Sequence, residues 1–182
     1  ELAIPLVLTA DRDVIIAAST ASGKTEAAFL PALTHLLNTD EEGLIVYISP
    51  LKALINDQFE RLQRLCEDLD VPVWPWHGDL SGASKPRFFK RPRGVLLITP
   101  ESLEAMLCTR GTSVAAAFSK LLYVIVDELH AFIGSERGKQ LQSLMHRIDV
   151  LLRRRTPRLG LSATLGDFSS AGAFLRTGAV TA

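Results

Sequence analysis

Cysteine is scarce in this chain. Cys66 and Cys108 stand alone with no CxxC pair, which argues against a zinc site or a disulfide framework and predicts two core or half-buried thiols on separate helices. Long hydrophobic runs are missing too: Val95 to Ile98 and Leu121 to Val126 are among the longest, far too short to span a bilayer. The first residues lack the basic-then-apolar order of a signal peptide, so a soluble, cytoplasmic protein with no membrane partner is expected. Net charge is absent as well, since twenty basic side chains face twenty acidic ones. That balance alone predicts no polyanion partner. Nor is there any internal repeat or low-complexity linker. With 182 residues and 47% hydrophobic content, one sizeable core and one domain are expected.

Short β-branched runs recur, each followed by a turn and a stretch of helical spacing, which is the βα alternation of a mostly parallel sheet in an α/β domain. Strands are predicted at 14–17, 44–49, 73–76, 95–99, 122–126 and 159–162. Helices are predicted at 23–37, 51–69, 101–109, 138–154 and 168–176. In open α/β sheets ligands bind beyond the carboxyl ends of the strands, and each motif singled out below falls at such an end.

The most informative one is Ala18-Ser19-Thr20-Ala21-Ser22-Gly23-Lys24-Thr25-Glu26, between the first strand and the first of these helices. It matches the phosphate-binding loop G-x-x-x-x-G-K-[ST] with Ala18 in place of the first glycine. Backbone N–H groups from Thr20 to Gly23 would close around phosphate oxygens at a helix N-terminus. Lys24 would reach the β- and γ-phosphates and the Thr25 hydroxyl would ligate magnesium. Directly after the most apolar strand comes Asp127-Glu128-Leu129-His130. A carboxylate there suits Mg²⁺, a hard ion that keeps several waters, and a neighbouring carboxylate can activate a water. This assigns Asp127 to the metal and Glu128 to the water; an acidic turn after a strand is the plain alternative.

Together with Ser162-Ala163-Thr164, these motifs occur in the order and approximate spacing of the first RecA-like domain of superfamily 2 helicases of the DEAD/DEAH type, which the whole chain resembles. Ile48-Ser49-Pro50-Leu51-Lys52-Ala53-Leu54, His77-Gly78-Asp79, Thr99-Pro100-Glu101-Ser102-Leu103 and Gly134-Ser135-Glu136-Arg137-Gly138 look most like the Lhr (large helicase-related) and Ski2-like branch. Ala at position 18 is normal there. The resemblance implies a three-layer RecA-like P-loop fold and an ATP-dependent helicase or translocase using ATP and Mg²⁺, with catalytic Lys24, Asp127, Glu128 and His130. It places Pro50, Lys52, Gly78, Thr99, Pro100 and Glu101 along the path of a nucleic-acid strand, and it makes Ser162 and Thr164 couple ATP state to that path. Read without it, Pro50 and Pro100 start helices, Thr99 is an N-cap, Gly78 forms a turn, and Ser162 and Thr164 are hydroxyl caps.

The track would be single-stranded or partly duplex DNA or RNA, with the choice left open. The resemblance also implies a second RecA-like domain of the same parent that supplies arginine fingers, so residues 1–182 are expected to be a fragment truncated at both ends, lacking the adenine-reading glutamine. A nucleotide-gated clamp and a duplex-DNA translocase that does not separate strands are the rival readings. A small-molecule kinase would leave the strand-path motifs without a role. Basic residues cluster at Lys85, Arg87, Lys90, Arg91 and Arg93 and at Arg153, Arg154, Arg155 and Arg158, against an acidic turn at Asp40, Glu41 and Glu42. Trp74 and Trp76 are expected to pack in the core or on a sheet face, His35 to be partly buried and His146 solvated.

Overall fold

The computed structural model describes residues 3–19, 23–39, 42–77, 84–164 and 166–176. Asp40, Glu41 and the side chain of Lys85 lie outside that description. The strands are β1 (Val14–Ala17), β2 (Leu44–Ile48), β3 (Val73–Trp76), β4 (Gly94–Ile98), β5 (Leu121–Val126) and β6 (Arg158–Ser162). The helices are α1 (Ala3–Leu8), α2 (Lys24–Leu37), α3 (Lys52–Glu67), α4 (Ser84–Lys90), α5 (Pro100–Thr109), α6 (Gly111–Ala117), α7 (Glu136–Leu152) and α8 (Phe168–Leu175). A 3-10 turn spans Leu129–Ala131. No helix among the described residues is long and apolar enough to cross a membrane.

The strands form one six-stranded sheet in the order β1-β6-β5-β2-β4-β3, and every pairing is parallel. That order dictates the layers. Chain steps from β1 to β2 and from β2 to β3 run toward the β3 edge, whereas the three later steps run back. Right-handed crossovers then force the two sets of helices onto opposite faces. Accordingly Ile45, Tyr47, Val95, Leu97, Tyr123 and Ile125 pack under α2 and α3, and their alternates Leu44, Val46, Ile48, Leu96, Val124 and Val126 pack under α4 to α8. Strands buried on both faces need apolar residues at every position, which is why β2, β4 and most of β5 carry them without a break.

Some details depart from rules of thumb. Pro31 sits inside α2, where a proline typically costs about 3 kcal/mol, and the helix persists because Phe29, Ala32, Leu33 and Leu36 are buried on either side. Cys66 is buried, and burial pushes its thiol up to about 11. Cys108, expected to be at least half buried, lies exposed near the end of α5. Trp74 and Trp76 pack edge-on against Phe88 and Phe89, His35 bonds the Tyr123 hydroxyl at 2.8 Å, and His146 is exposed.

At the amino ends of the strands, buried Arg158 and partly buried Asp13, Asp149 and Arg176 make a network. Asp149 accepts from Arg158 at 2.6 Å and from Arg176 at 2.7 Å, and Arg176 also reaches Asp13 at 2.6 Å. It ties the ends of α7 and α8 to the starts of β1 and β6, leaving the carboxyl ends for other work.

Candidate functional site

The first group sits at the ends of β1, β6 and β5, which are neighbours in the sheet. Thr20, Ala21 and Ser22 lie outside the described residues. Gly23 follows them at φ +80°, a conformation L side chains rarely adopt. The nearest atom to a Cβ there would be 3.9 Å away, so the backbone angle and not crowding calls for glycine. The chain turns there into α2, whose first N–H groups are unpaired by geometry and favour an anion. Lys24 Nζ donates to the Ser19 carbonyl at 2.9 Å, curled over its own loop. Thr25 is half-buried beside it. Glu26 pairs with Arg61 of α3, both about half exposed, a contact worth little in water.

The acidic segment is held more tightly. The Asp127 N–H donates to the Ile48 carbonyl at 2.9 Å, extending the β5–β2 ladder by one residue, and Asp127 is buried. The hydroxyl of Tyr47 in β2 donates to Asp127 Oδ2. Burial first, then the Asp127 charge, raises the Tyr47 phenol well above its ordinary range, so it stays a donor. Among the described residues no hydrogen bond reaches Asp127 Oδ1. Glu128 sits at φ 48°, ψ 47°, the left-handed region, and turns the chain sharply away from the strand. His130 Nδ1 lies 3.4 Å from Glu128 Oε2 and 3.0 Å from Ser162 Oγ. Because the single Ser162 hydroxyl proton goes to the Thr164 carbonyl at 2.8 Å, Nδ1 must donate. The Ala18 N–H donates to the Ser162 carbonyl at 3.2 Å. The phosphate-loop entry, the acidic segment and the Ser-Ala-Thr turn are thus joined through Ser162.

The second group lies at the ends of β2, β4 and β3. Pro50 is buried, Lys52 is exposed at the first position of α3, and Gly78 lies outside the described residues with Asp79. Thr99 caps α5, its Oγ1 accepting from Ser102 N at 3.3 Å, and Pro100 occupies the first turn. Pro50, by contrast, precedes its helix by two residues and does not start it. Glu101 takes two bonds from Arg137 at 2.5 and 2.9 Å. Burial alone would raise the Glu101 carboxyl, but the Arg137 bonds and charge, with help from its own backbone and Thr99, hold it below its ordinary value. Arg137 in turn lies 5.8 Å over the Phe132 ring. A Cβ on neighbouring Gly138 would sit 1.9 Å from the Phe132 carbonyl oxygen, so glycine is required for α7 to approach this closely. His77 Nε2 meets Asn56 Oδ1 at 2.9 Å, and among the described residues no hydrogen bond reaches the buried His77 Nδ1 or Ser49 Oγ.

Two residues escaped the sequence reading. Tyr47 carried a faint signal as the single polar group in the run Leu-Ile-Val-Tyr-Ile; Arg137 lay within a quoted motif without a role. Among the described residues no three His, Cys, Asp or Glu side chains are placed to hold a metal ion. The free Oδ1 of Asp127 and the Thr25 hydroxyl are hard oxygen donors on adjoining elements, a set that fits a magnesium ion completing its shell with water and phosphate.

Residues 1–170 match the DEAD/DEAH box helicase family. The Lhr helicase/uracil glycosylase of Escherichia coli (strain K12) is 35% identical over 183 residues, covering 88% of this chain and 12% of that protein. The ATP-dependent helicase Lhr-Core of Methanothermobacter thermautotrophicus is 32% identical over 181 residues, covering 90% of this chain and 21% of that protein. The structure of Mycobacterium smegmatis helicase Lhr bound to ssDNA and AMP-PNP is similar with a TM-score of 0.83 and 32% identity, over 99% of this chain and 25% of that one. The chain spans 12% and 21% of the two curated relatives.

Proposed function

The chain belongs to the DEAD/DEAH box helicase family, and from that premise we propose that it is the ATP-binding motor domain of a helicase or translocase that moves on a nucleic-acid strand. The observation that carries this is the joining, through Ser162, of a phosphate-loop entry to an Asp-Glu-Leu-His segment at adjacent strand ends. Lys24 would exchange the Ser19 carbonyl for phosphate oxygens when ATP binds, with Thr20 to Gly23 supplying backbone N–H groups. Thr25 and Asp127 would hold Mg²⁺, which would supply charge neutralisation at the β- and γ-phosphates. Glu128 would take a proton from the attacking water. His130, donating to Ser162 and close to Glu128, would relay the state of this site to the Ser162–Thr164 turn.

Pro50, Lys52, Gly78, Thr99, Pro100 and Glu101 would lie along the strand path, with phosphate contacts that position without reading sequence. A second RecA-like domain of the same parent would bring arginine to the γ-phosphate, a contribution of roughly 10³ to 10⁵ in rate at related sites. The test is steady-state ATP hydrolysis by the full-length polypeptide carrying this chain, with single-stranded DNA, duplex DNA and RNA in turn. Stimulated turnover that disappears in Glu128→Gln is expected. Tight strand binding without turnover would instead identify a clamp.

A further inference from the structure

We propose that Tyr47 is a positioning residue that orients the Asp127 carboxylate for its cation and ties that carboxylate to the strand-path turn at Ser49–Lys52; this deepens the function proposed above and rests on it. Asp127 is attached to β2 at two points. Its N–H donates to the Ile48 carbonyl at 2.9 Å, and its Oδ2 accepts from the Tyr47 hydroxyl. The first fixes the backbone; the second fixes rotation of the carboxyl group, which would otherwise sample a broad, nearly two-fold torsion. Held this way, Oδ2 is occupied and Oδ1 is the oxygen available to a metal ion. Tyr47 is itself fully buried and packed with its ring centroid 5.5 Å from that of Phe29 in α2, the helix that begins at the phosphate loop.

The position in the chain adds the second half of the inference. β2 ends one residue after Tyr47 and runs straight into Ser49, Pro50, Leu51 and Lys52. The Ser49 N–H is fixed to the Ile98 carbonyl of β4 at 3.1 Å, and both Ser49 and Pro50 are buried. No slack loop separates the turn from Tyr47, so a strand pressing on the turn displaces β2 as a unit. Both attachments of Asp127 move with it. The route is short, made of one strand and one hydroxyl, and it differs from the His130–Ser162 contact, which leaves the acidic segment on the β6 side.

Tyr47→Phe removes the hydroxyl and keeps the ring against Phe29. In the full-length polypeptide, binding of a fluorescent ATP analogue is titrated against Mg²⁺, in the presence and absence of a single-stranded DNA oligonucleotide. Loss of an outer hydrogen bond to a metal ligand raises the Mg²⁺ midpoint by about tenfold, with metal-free nucleotide binding unchanged. The strand-induced shift of that midpoint in the wild type should shrink in the variant, because coupling between two ligands is reciprocal and this link carries it. An unchanged midpoint overturns the positioning role. A raised midpoint with wild-type strand coupling overturns the tie to the turn. Loss of metal-free binding as well shows that the hydroxyl serves folding, and overturns both. A wild type whose nucleotide binding ignores Mg²⁺ removes the metal assignment of Asp127 itself, and this proposal falls with it.

Discussion

Glu128→Gly separates the chemical role of this residue from its conformational cost. At φ 48°, ψ 47° a residue with a Cβ is strained by roughly 1 to 2 kcal/mol, which glycine does not incur. Glycine gives back roughly 0.5 to 1 kcal/mol through the larger entropy of the unfolded chain. Among the described residues the side chain pairs with His130 at 3.4 Å, with 40% and 29% of the His and Glu side chains exposed, a contact worth about a few tenths of a kcal/mol. The balance is between about zero and 1 kcal/mol in favour of glycine, and for a domain of this size each kcal/mol moves the melting temperature by about 2 to 4 °C. Glu128→Gln is the reference, since it keeps the backbone angle and the shape while removing the carboxylate proposed as the base. Thermal melts followed by circular dichroism should place Glu128→Gly level with Glu128→Gln or up to about 4 °C above it, with ATP hydrolysis lost in both. A glycine variant melting clearly below the glutamine one would refute the reasoning, by showing that the side chain stabilises the turn more than its conformation costs.

Lys24→Ala should leave the melting temperature alone, because the described bond of Lys24 is an exposed one to the Ser19 carbonyl. It should weaken ATP binding about 10- to 100-fold, the worth of a charge-assisted bond of roughly 1.5 to 3 kcal/mol; equal affinity by titration calorimetry removes Lys24 from the phosphate site. Asp149→Asn takes the charge away from buried Arg158 and partly buried Arg176 and should cost about 3 kcal/mol in urea denaturation with nucleotide affinity unchanged, since the network lies at the far end of the sheet. A loss under about 1 kcal/mol would mean that water already screens these ions. Glu101, an acid whose carboxyl the fold holds below its ordinary value near 4.5, adds stability that is present above that pH and is lost as pH falls through the folded value. Arg137→Ala should move the Glu101 midpoint upward in an NMR pH titration, and an unmoved midpoint would deny the Arg137 contact a role in solution.

The parallel sheet could be read from the chain because its strands are short, mostly apolar runs closed by turns. β1 and β3 fall at the predicted limits, β2, β5 and β6 differ by one residue at one end, and β4 is shifted by one residue at both. The helices α1, α4 and α6 escaped. With six or seven residues each, they are too short to show an amphipathic period, and packing rather than propensity holds them. Strand-end placement of the motifs followed from parallel topology alone. The Tyr47–Asp127 bond did not, since it depends on β2 lying beside β5 with Tyr47 opposite Ile125, a register no local pattern encodes. The Glu101–Arg137 pair spans 36 residues and needs α5 and α7 side by side. Cys108 was misjudged because a small apolar side chain on a helix gives no sign of which face it occupies.

Strand order also sets a timetable for synthesis. Among the described residues β1 pairs with β6, and the register couples Val14 to Leu159. β2, β3, β4 and β5 can assemble among themselves once Val126 has left the ribosome, but β1 has no place to dock until β6 emerges. At about 5 to 20 residues per second, a newborn β1 waits roughly 7 to 30 s for its partner. During that interval the first strand, and the part of α2 that packs on β1 and β6, wait for the sheet to be completed, a state in which holdase chaperones or a neighbouring nascent chain compete for them. Nucleotide cannot favour the folded state over this half-made one, because the loop that would grip it hangs from a strand not yet in the sheet. A chain cut before Arg158 would stay in that condition permanently, however well the remainder of its core were packed.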